Sequence, residues 1–368
     1  MTSGILNEIA PVFRPYVKNV YEDLKLGLCK TKVDFERVTG CYVGGECQFR
    51  LVLPYCSKKL KWEVIFDPSM PWFAPDFRFD DDTFLSSVDE NFLEDKVPSL
   101  AKWNESDPKS LSDVISELVN LYKCHQVRKL LNENSRALFE YSALLGDALT
   151  TEAEIEVWVG SHVVEFLIKL KVDTSMLPEL FNQEVEENPG IDSALLLVRY
   201  PNSTNAELIM SPLLTKSLGN ITLPPMHQSG VLMDYVPMVT ELLNKKIQDL
   251  LNNEKLKRKL LAQLIVKYEG AVLEHDANNA SFLFEMSDFY WILQIDIGTK
   301  FPDKPPVLIL RSVYHCNKGK PRFKVLPACP YNNFEGYIEQ QVELFKNECK
   351  GQSTIIHHPI IINLQNLI

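Results

Sequence analysis

Eight cysteines and seven histidines are the side chains of this 368-residue chain best suited to covalent or metal chemistry. The cysteines are Cys29, Cys41, Cys47, Cys56, Cys124, Cys316, Cys329 and Cys349. None forms a C-x-x-C pair, and in a reducing compartment free thiols are the simplest expectation. The histidines His125, His162, His227, His275, His315, His357 and His358 make no H-x-H pair. A metal-dependent hydrolase needs a compact His/Asp cluster with a general base, and His357-His358 before Pro359 is a poor start for one. His315, Cys316 and Cys329 could ligate zinc, but three candidates are one short of a closed structural site. The glycines never form G-x-x-x-x-G-K or G-x-G-x-x-G, so no phosphate loop is encoded. The expectation is a chain with no metal and no cofactor.

The elements that would position these residues follow from periodicity. Ile5, Ile9, Phe13, Tyr16, Val17 and Val20 share a helical stripe; Pro11 and Pro15 interrupt it, which predicts a short or kinked helix. Strands are expected at 24–29, 48–53 and 60–66. The last two alternate, Phe49, Leu51, Leu53 and then Trp62, Val64, Phe66, as a half-buried antiparallel meander does. A Pro-rich stretch from Asp67 to Phe79 and an acidic loop come next. From Ser110 a helical pattern runs to Gly146, with Ser110 and Asp113 resembling a capping box. Strands are expected again at 154–159, 163–172, 194–200 and 207–210, then a long helix over about 236–268. Three further strands, a second Pro-rich stretch at 301–310 and a helix over about 336–346 complete the pattern. Helix, meander, Pro-rich crossing and helix thus occur at the start and again at the end, a diverged internal repeat.

Composition bounds the class. Hydrophobic residues are 45% and charged residues 24% of the chain, which suits folded domains. The net charge of −11 argues against a nucleic-acid partner, which needs a basic face. The basic run at Lys255, Lys257, Arg258 and Lys259 is flanked by Glu254 and reads as a solvated helix face. No window reaches the ~18 apolar residues of a membrane span. The start, Met1-Thr2-Ser3-Gly4, lacks a signal peptide's basic and apolar segments, so a cytoplasmic and nuclear protein is expected.

The two Pro-rich stretches carry a family resemblance. Residues 70–79 read Met-Pro-Trp-Phe-Ala-Pro-Asp-Phe-Arg-Phe and residues 301–310 read Phe-Pro-Asp-Lys-Pro-Pro-Val-Leu-Ile-Leu. Both resemble the segment of ubiquitin-conjugating enzymes in which an aromatic-Pro pair, two residues and a Pro pair lead into an edge strand. Prolines suit such a crossing because they donate no ladder hydrogen bond. Pro302, Pro305 and Pro306 fit throughout; the first copy keeps Pro71 and Pro75, with Ala74 for one proline. Trp103 before Leu111, Val114, Ile115 and Leu118 resembles the family's Trp, short loop and helix. The resemblance implies an α+β chain of tandem ubiquitin-conjugating-enzyme-variant (UEV/RWD-like) domains: an N-terminal domain at 1–146, a degenerate middle block at 147–235 and a C-terminal domain with an apolar tail at 236–368. Whether the middle block is a third copy stays open.

Conjugation needs a cysteine nucleophile, which the family places behind a His-Pro-Asn triplet whose Asn stabilises the oxyanion. No Cys or His lies between Cys56 and Cys124. In the second copy Tyr314-His315-Cys316-Asn317 resembles the triplet, but Val325 stands where the nucleophile belongs and Cys329 lies four residues on. The resemblance therefore implies a conjugating-enzyme fold without conjugating activity.

A narrower resemblance rests on residues 60–66 (Leu-Lys-Trp-Glu-Val-Ile-Phe), 136–141 (Arg-Ala-Leu-Phe-Glu-Tyr), 232–237 (Leu-Met-Asp-Tyr-Val-Pro) and 312–315 (Ser-Val-Tyr-His). In combination these resemble the BRE (brain and reproductive organ-expressed) family. That resemblance implies a non-catalytic scaffold of the BRISC deubiquitinase. Its partners would be a JAMM-type zinc metalloprotease, an inactive MPN-domain subunit and a von Willebrand A-like adaptor, with ubiquitin a further candidate. Vertebrate members of the family also serve a nuclear DNA-damage complex. The alternative is a ubiquitin-binding cofactor of an active conjugating enzyme. Ile355, Ile356, Ile360, Ile361, Leu364 and Leu367 in the apolar tail are candidate partner contacts if they do not pack on their own domain.

Overall fold

In a computed structural model, the described residues are 9–39, 47–86, 89–133, 135–146, 149–175, 177, 193–200, 206–226, 230–317, 320–327 and 334–351. The chain divides into two compact units, Met1–Ile247 and Gln248–Ile368. The class is α+β, and every sheet is antiparallel.

The first unit opens with α1 (Arg14–Asp23). Pro15 stands in its first turn, where a missing N–H costs nothing, so it starts the helix instead of kinking it. Tyr16, Val17 and Val20 are its buried face. The strand expected at 24–29 is mostly a tight turn: β1 (Lys25–Leu26) and β2 (Thr31–Lys32) pair across Gly27, whose φ of +72° suits a residue without a Cβ. Four strands then form a meander, β3 (Asp34–Thr39), β4 (Cys47–Tyr55), β5 (Lys58–Phe66) and β6 (Asp76–Arg78), in the order β3-β4-β5-β6. Burial alternates along the whole of β4, as a one-sided sheet requires. Two short helices, α2 (Glu90–Lys96) and α3 (Pro98–Ala101), lead to the long α4 (Ser110–Glu133) and to α5 (Ser135–Gly146). Leu111, Val114, Ile115 and Leu118 of α4 close the core over Phe49, Leu51, Trp62 and Phe66.

A second meander lies in the same unit: β7 (Ile155–Val159), β8 (Val164–Lys169), β9 (Ala194–Tyr200) and β10 (Glu207–Met210), followed by α6 (Pro212–Leu218). Ser211 caps α6, its hydroxyl accepting from the Leu214 N–H at 3.2 Å. Helix α7 (Leu232–Lys267) contributes Leu232, Tyr235, Val236, Val239 and Leu243 to the core under this sheet. The boundary expected between 235 and 236 falls inside α7.

In the second unit Leu261 and Leu264 of α7 join a core formed under a five-stranded meander. Its strands are β11 (Val272–His275), β12 (Asn279–Met286), β13 (Phe289–Asp296), β14 (Val307–Asn317) and β15 (Lys320–Val325), in that order. Helix α8 (Phe334–Gly351) buries Ile338, Val342, Phe345 and Cys349 against it, a spacing of four, three and four that lines one helical face.

Candidate functional site

The residues of the first Pro-rich crossing occupy a turn and a strand edge. The Met70 N–H donates to the Asp67 carbonyl and the Phe73 N–H to that of Met70, both at 3.1 Å. Pro71 is half-buried in this double turn and Pro75 is buried just before β6. Trp72 and Phe73 project to solvent, 54% and 59% exposed. Trp103 packs on Tyr16 and Phe66 at ring-centroid distances of 5.3 and 6.1 Å, so its place is in the core.

Asp81, Thr83 and His125 meet after β6. The Thr83 hydroxyl lies 3.1 Å from His125 Nε2, and Asp81 Oδ2 lies 3.8 Å from the same nitrogen. A hydrolytic triad needs the carboxylate on the other ring nitrogen, Nδ1, to set the tautomer, and here both groups crowd one nitrogen. Asp81 is spoken for: it accepts from the Thr83 N–H at 3.0 Å, Lys129 Nζ at 3.3 Å and Gln126 Nε2 at 3.4 Å. Burial pushes the Asp81 carboxyl up, but the Thr83 and Lys129 bonds outweigh it and hold it below its ordinary value. Burial lowers the His125 pKa, against the pull of Asp81. The acidic loop is thus pinned at Asp81, and the cluster is structural.

A polar seam joins the two four-stranded sheets of the first unit. Cys56 forms the two-residue hairpin between β4 and β5 with φ of 48°, an unusual conformation for a side-chain-bearing residue. Its N–H donates to Glu156 Oε2 at 2.6 Å, and the Leu28 N–H donates to Oε1 of the same carboxylate at 2.9 Å. Burial raises Glu156, and the two backbone donors only partly offset that. Glu165, beside it on β8, takes Lys58 Nζ at 2.8 Å, Arg199 Nε at 3.4 Å and the Ser57 hydroxyl. Tyr55 donates to the Val157 carbonyl at 2.8 Å, and Gln126 accepts from the Val159 N–H at 2.9 Å. An open cleft of about 650 Å³ along the seam contains Lys58, Lys129 and Asp81, charges already paired with protein groups.

Three of the thiols are disfavoured as thiolates by burial. Burial, reinforced by Glu156 and Glu165, drives the Cys56 thiol well above its ordinary value, and burial pushes Cys29 up to about 11. Cys349 is buried and raised as well. Cys29, Cys56, Cys124, Cys316 and Cys349 are in no disulfide, but Cys47 is disulfide-bonded, so the expectation of free thiols fails there.

The second copy is spread along a hairpin. Pro302 and Pro305 are exposed and Pro306 half-buried on the approach to β14. His315 and Cys316 lie near the far end of that strand, and Asn317 closes it opposite Lys320. Val325 is paired with Ile309 at the near end. Six residues of strand separate Ile309 from His315, on the order of 20 Å, so the structure does not bring His315 and Val325 together. His315 is instead held by Ser312, whose hydroxyl lies 2.8 Å from Nδ1. Burial lowers its pKa, and Arg322 and Lys350 lower it further. Cys329 and the tail positions Ile355, Ile356, Ile360, Ile361, Leu364 and Leu367 lie outside the described residues. Among the described residues no group of three or more His, Cys, Asp or Glu could hold a metal ion, and no helix is long and apolar enough to cross a membrane.

The model of the brain and reproductive organ-expressed protein (BRE) family matches residues 7–316. The chain belongs to the BRE family. Relatives include a protein of Branchiostoma floridae named "BRISC and BRCA1-A complex member 2", 33% identical over 362 residues, covering 90% of this chain and 91% of the relative. A Danio rerio protein of the same name is 30% identical over 351 residues, 89% of each. Two segments that carry the BRE resemblance, 136–141 on α5 and 232–237 on α7, touch each other. The buried Glu140 carboxylate accepts from the Leu232 N–H at 2.7 Å, and Arg136 donates to the Gly230 carbonyl at 3.4 Å. A carboxylate at a helix start satisfies an orphan donor and complements the helix dipole. Glu140 is the residue by which this BRE chain ties the start of α7 to α5.

Proposed function

We propose that this chain is a non-catalytic scaffold subunit of a BRISC or BRCA1-A-type deubiquitinase complex, built from tandem conjugating-enzyme-variant domains. The observation that carries the reading is the fate of the second Pro-rich copy. Where a conjugating enzyme needs a loop with a thiol beside an Asn, this chain has a β-hairpin that sets His315 and Val325 at opposite ends. Membership in the BRE family and the names of its relatives support a subunit role. Three successive antiparallel meanders flanked by helices support tandem variant domains, with the middle sheet as a third copy. The scaffold would join a JAMM metalloprotease, an inactive MPN-domain subunit and a von Willebrand A-like adaptor, in cytoplasm and nucleus. Affinity capture of the full chain from cells tests this. A JAMM metalloprotease in the captured material supports it, and an active conjugating enzyme in its place would favour the cofactor reading. A thioester formed with ubiquitin, activating enzyme and ATP, and lost in Cys329→Ala, would overturn it.

A further inference from the structure

An open cavity of about 380 Å³ lies in the first unit between the turn after β6, the start of α2 and one stripe of α4. That volume is within the range of small-molecule sites. The α4 stripe is Leu121, His125 and Arg128, spaced four and three apart as one helical face requires. The walls are largely apolar: Phe84 and Leu121 are buried, and Leu85 and Phe92 are half-buried beside them. They are also fixed. Phe84 meets Tyr122 edge-on at a ring-centroid distance of 5.0 Å and His125 at 5.5 Å. The turn that carries it is tied to α4 through Asp81, which accepts from Gln126 and Lys129. Leu85 holds a φ of +56°, a costly conformation for a residue with a side chain and one that concentrates at ligand sites. The cavity is thus formed without a ligand, which lowers the ordering cost of binding one.

Two charged groups of opposite sign complete the lining. Arg128 is exposed and makes no hydrogen bond or ion pair among the described residues. Asp89 precedes α2, yet its carboxylate does not cap that helix. It accepts from the Asn91 amide at 3.3 Å and forms no ion pair among the described residues. Lys58, Lys129 and Asp81 in the neighbouring cleft are all paired with protein groups, so this cavity differs from that cleft in holding an unpaired cation and an unpaired anion beside aromatic and aliphatic walls.

We infer that this cavity binds a free α-amino acid with an apolar side chain, its carboxylate on Arg128, its ammonium on Asp89 and its side chain against Phe84, Phe92 and Leu121. A guanidinium presents a planar fork that matches a carboxylate bidentately. The apolar walls supply the affinity, and the two charges select a zwitterion over a simple acid or amine of the same shape. A ligand of this size, held in an open cavity, should bind with a Kd of roughly 0.1–1 mM.

Calorimetric titration of the full chain with L-phenylalanine tests it, with 3-phenylpropionate, phenethylamine and glycine as the probes that lack the ammonium, the carboxylate and the side chain. Phenylalanine should saturate one site, and each of the other three should bind at least about fivefold more weakly. Arg128→Ala and Asp89→Asn should each weaken phenylalanine binding by at least about fivefold, with the urea midpoint unchanged because both positions are exposed. If either variant shifts that midpoint, the three probes on the unaltered chain decide. No saturation by about 10 mM phenylalanine overturns the assignment, as does equal binding to the unaltered chain and to both variants. Binding of 3-phenylpropionate or phenethylamine as tightly as phenylalanine also overturns it, because the site would then read only one of the two charges.

Discussion

Replacing Glu156 with alanine should open the seam of the first unit, and the cost can be worked from its bonds. The carboxylate is buried and accepts the N–H groups of Leu28 and Cys56. Removing it orphans two donors, each costing about 1–3 kcal/mol when buried without a partner, so Glu156→Ala should destabilise by about 2–6 kcal/mol. The Cys56 end should suffer more, because that N–H also holds a non-glycine residue at positive φ. Glu156→Gln keeps one acceptor oxygen and should lose about half as much. The pH dependence separates the two effects. Burial raises Glu156 in the fold, so its protonated form favours the folded state. Stability from this group is full below the unfolded value, falls as pH rises through the raised folded value and is constant above. Glu156→Gln should abolish that decline. Urea unfolding of the full chain at several pH values, followed by tryptophan fluorescence, measures both. A loss below about 0.5 kcal/mol for Glu156→Ala, the range of ordinary surface substitutions, would refute the reasoning.

Three further outcomes are expected. The His125 and Asp81 pKa values are both lowered in the fold, so both groups stabilise it at neutral pH and lose that contribution on acidification, His125 first and Asp81 at lower pH; His125→Gln should flatten the first part of that loss in thermal unfolding scans. Val325→Cys should form no thioester in a conjugation assay, because residue 325 lies in a ladder roughly 20 Å along the sheet from His315; an adduct would show that the hairpin opens. Glu140→Ala should cost about 1–3 kcal/mol by orphaning the buried Leu232 N–H, and hydrogen exchange should show the first turn of α7 loosening before the rest of the helix.

The meanders were legible because their signal is local. Phe49, Leu51 and Leu53 against Trp62, Val64 and Phe66 declare a sheet face at period two, and β4 and β5 carry that pattern in register. The α8 stripe was readable for the same reason at period 3.6. The capping box expected at Ser110 is not formed: Ser110 is already inside α4 and its hydroxyl donates to the Asn104 carbonyl at 2.8 Å. β15 was hidden because Lys320 to Val325 mixes charge, proline and only two apolar residues, and its neighbours resemble an enzyme loop. Asp81 with His125 and Glu156 with Cys56 were unreadable for a different reason. Their partners are separated by 44 and 100 residues, and periodicity has no access to such distances. A weak signal did exist: Glu156 and Glu165 each sit between apolar residues inside a strand, where a carboxylate is tolerated only if donors await it.

The sheet order carries a consequence for how the chain folds. In all three meanders each strand pairs with its neighbours in sequence, so each ladder joins segments that follow one another and can close as the chain is made. The seam bonds of Glu156 and Glu165 span about a hundred residues and can form only after both four-stranded sheets of the first unit exist. The two meanders would therefore assemble first and dock second. Weakening the seam should then speed unfolding far more than it slows folding. The seam would thus set how long the first unit stays folded, while the local ladders set how quickly it forms.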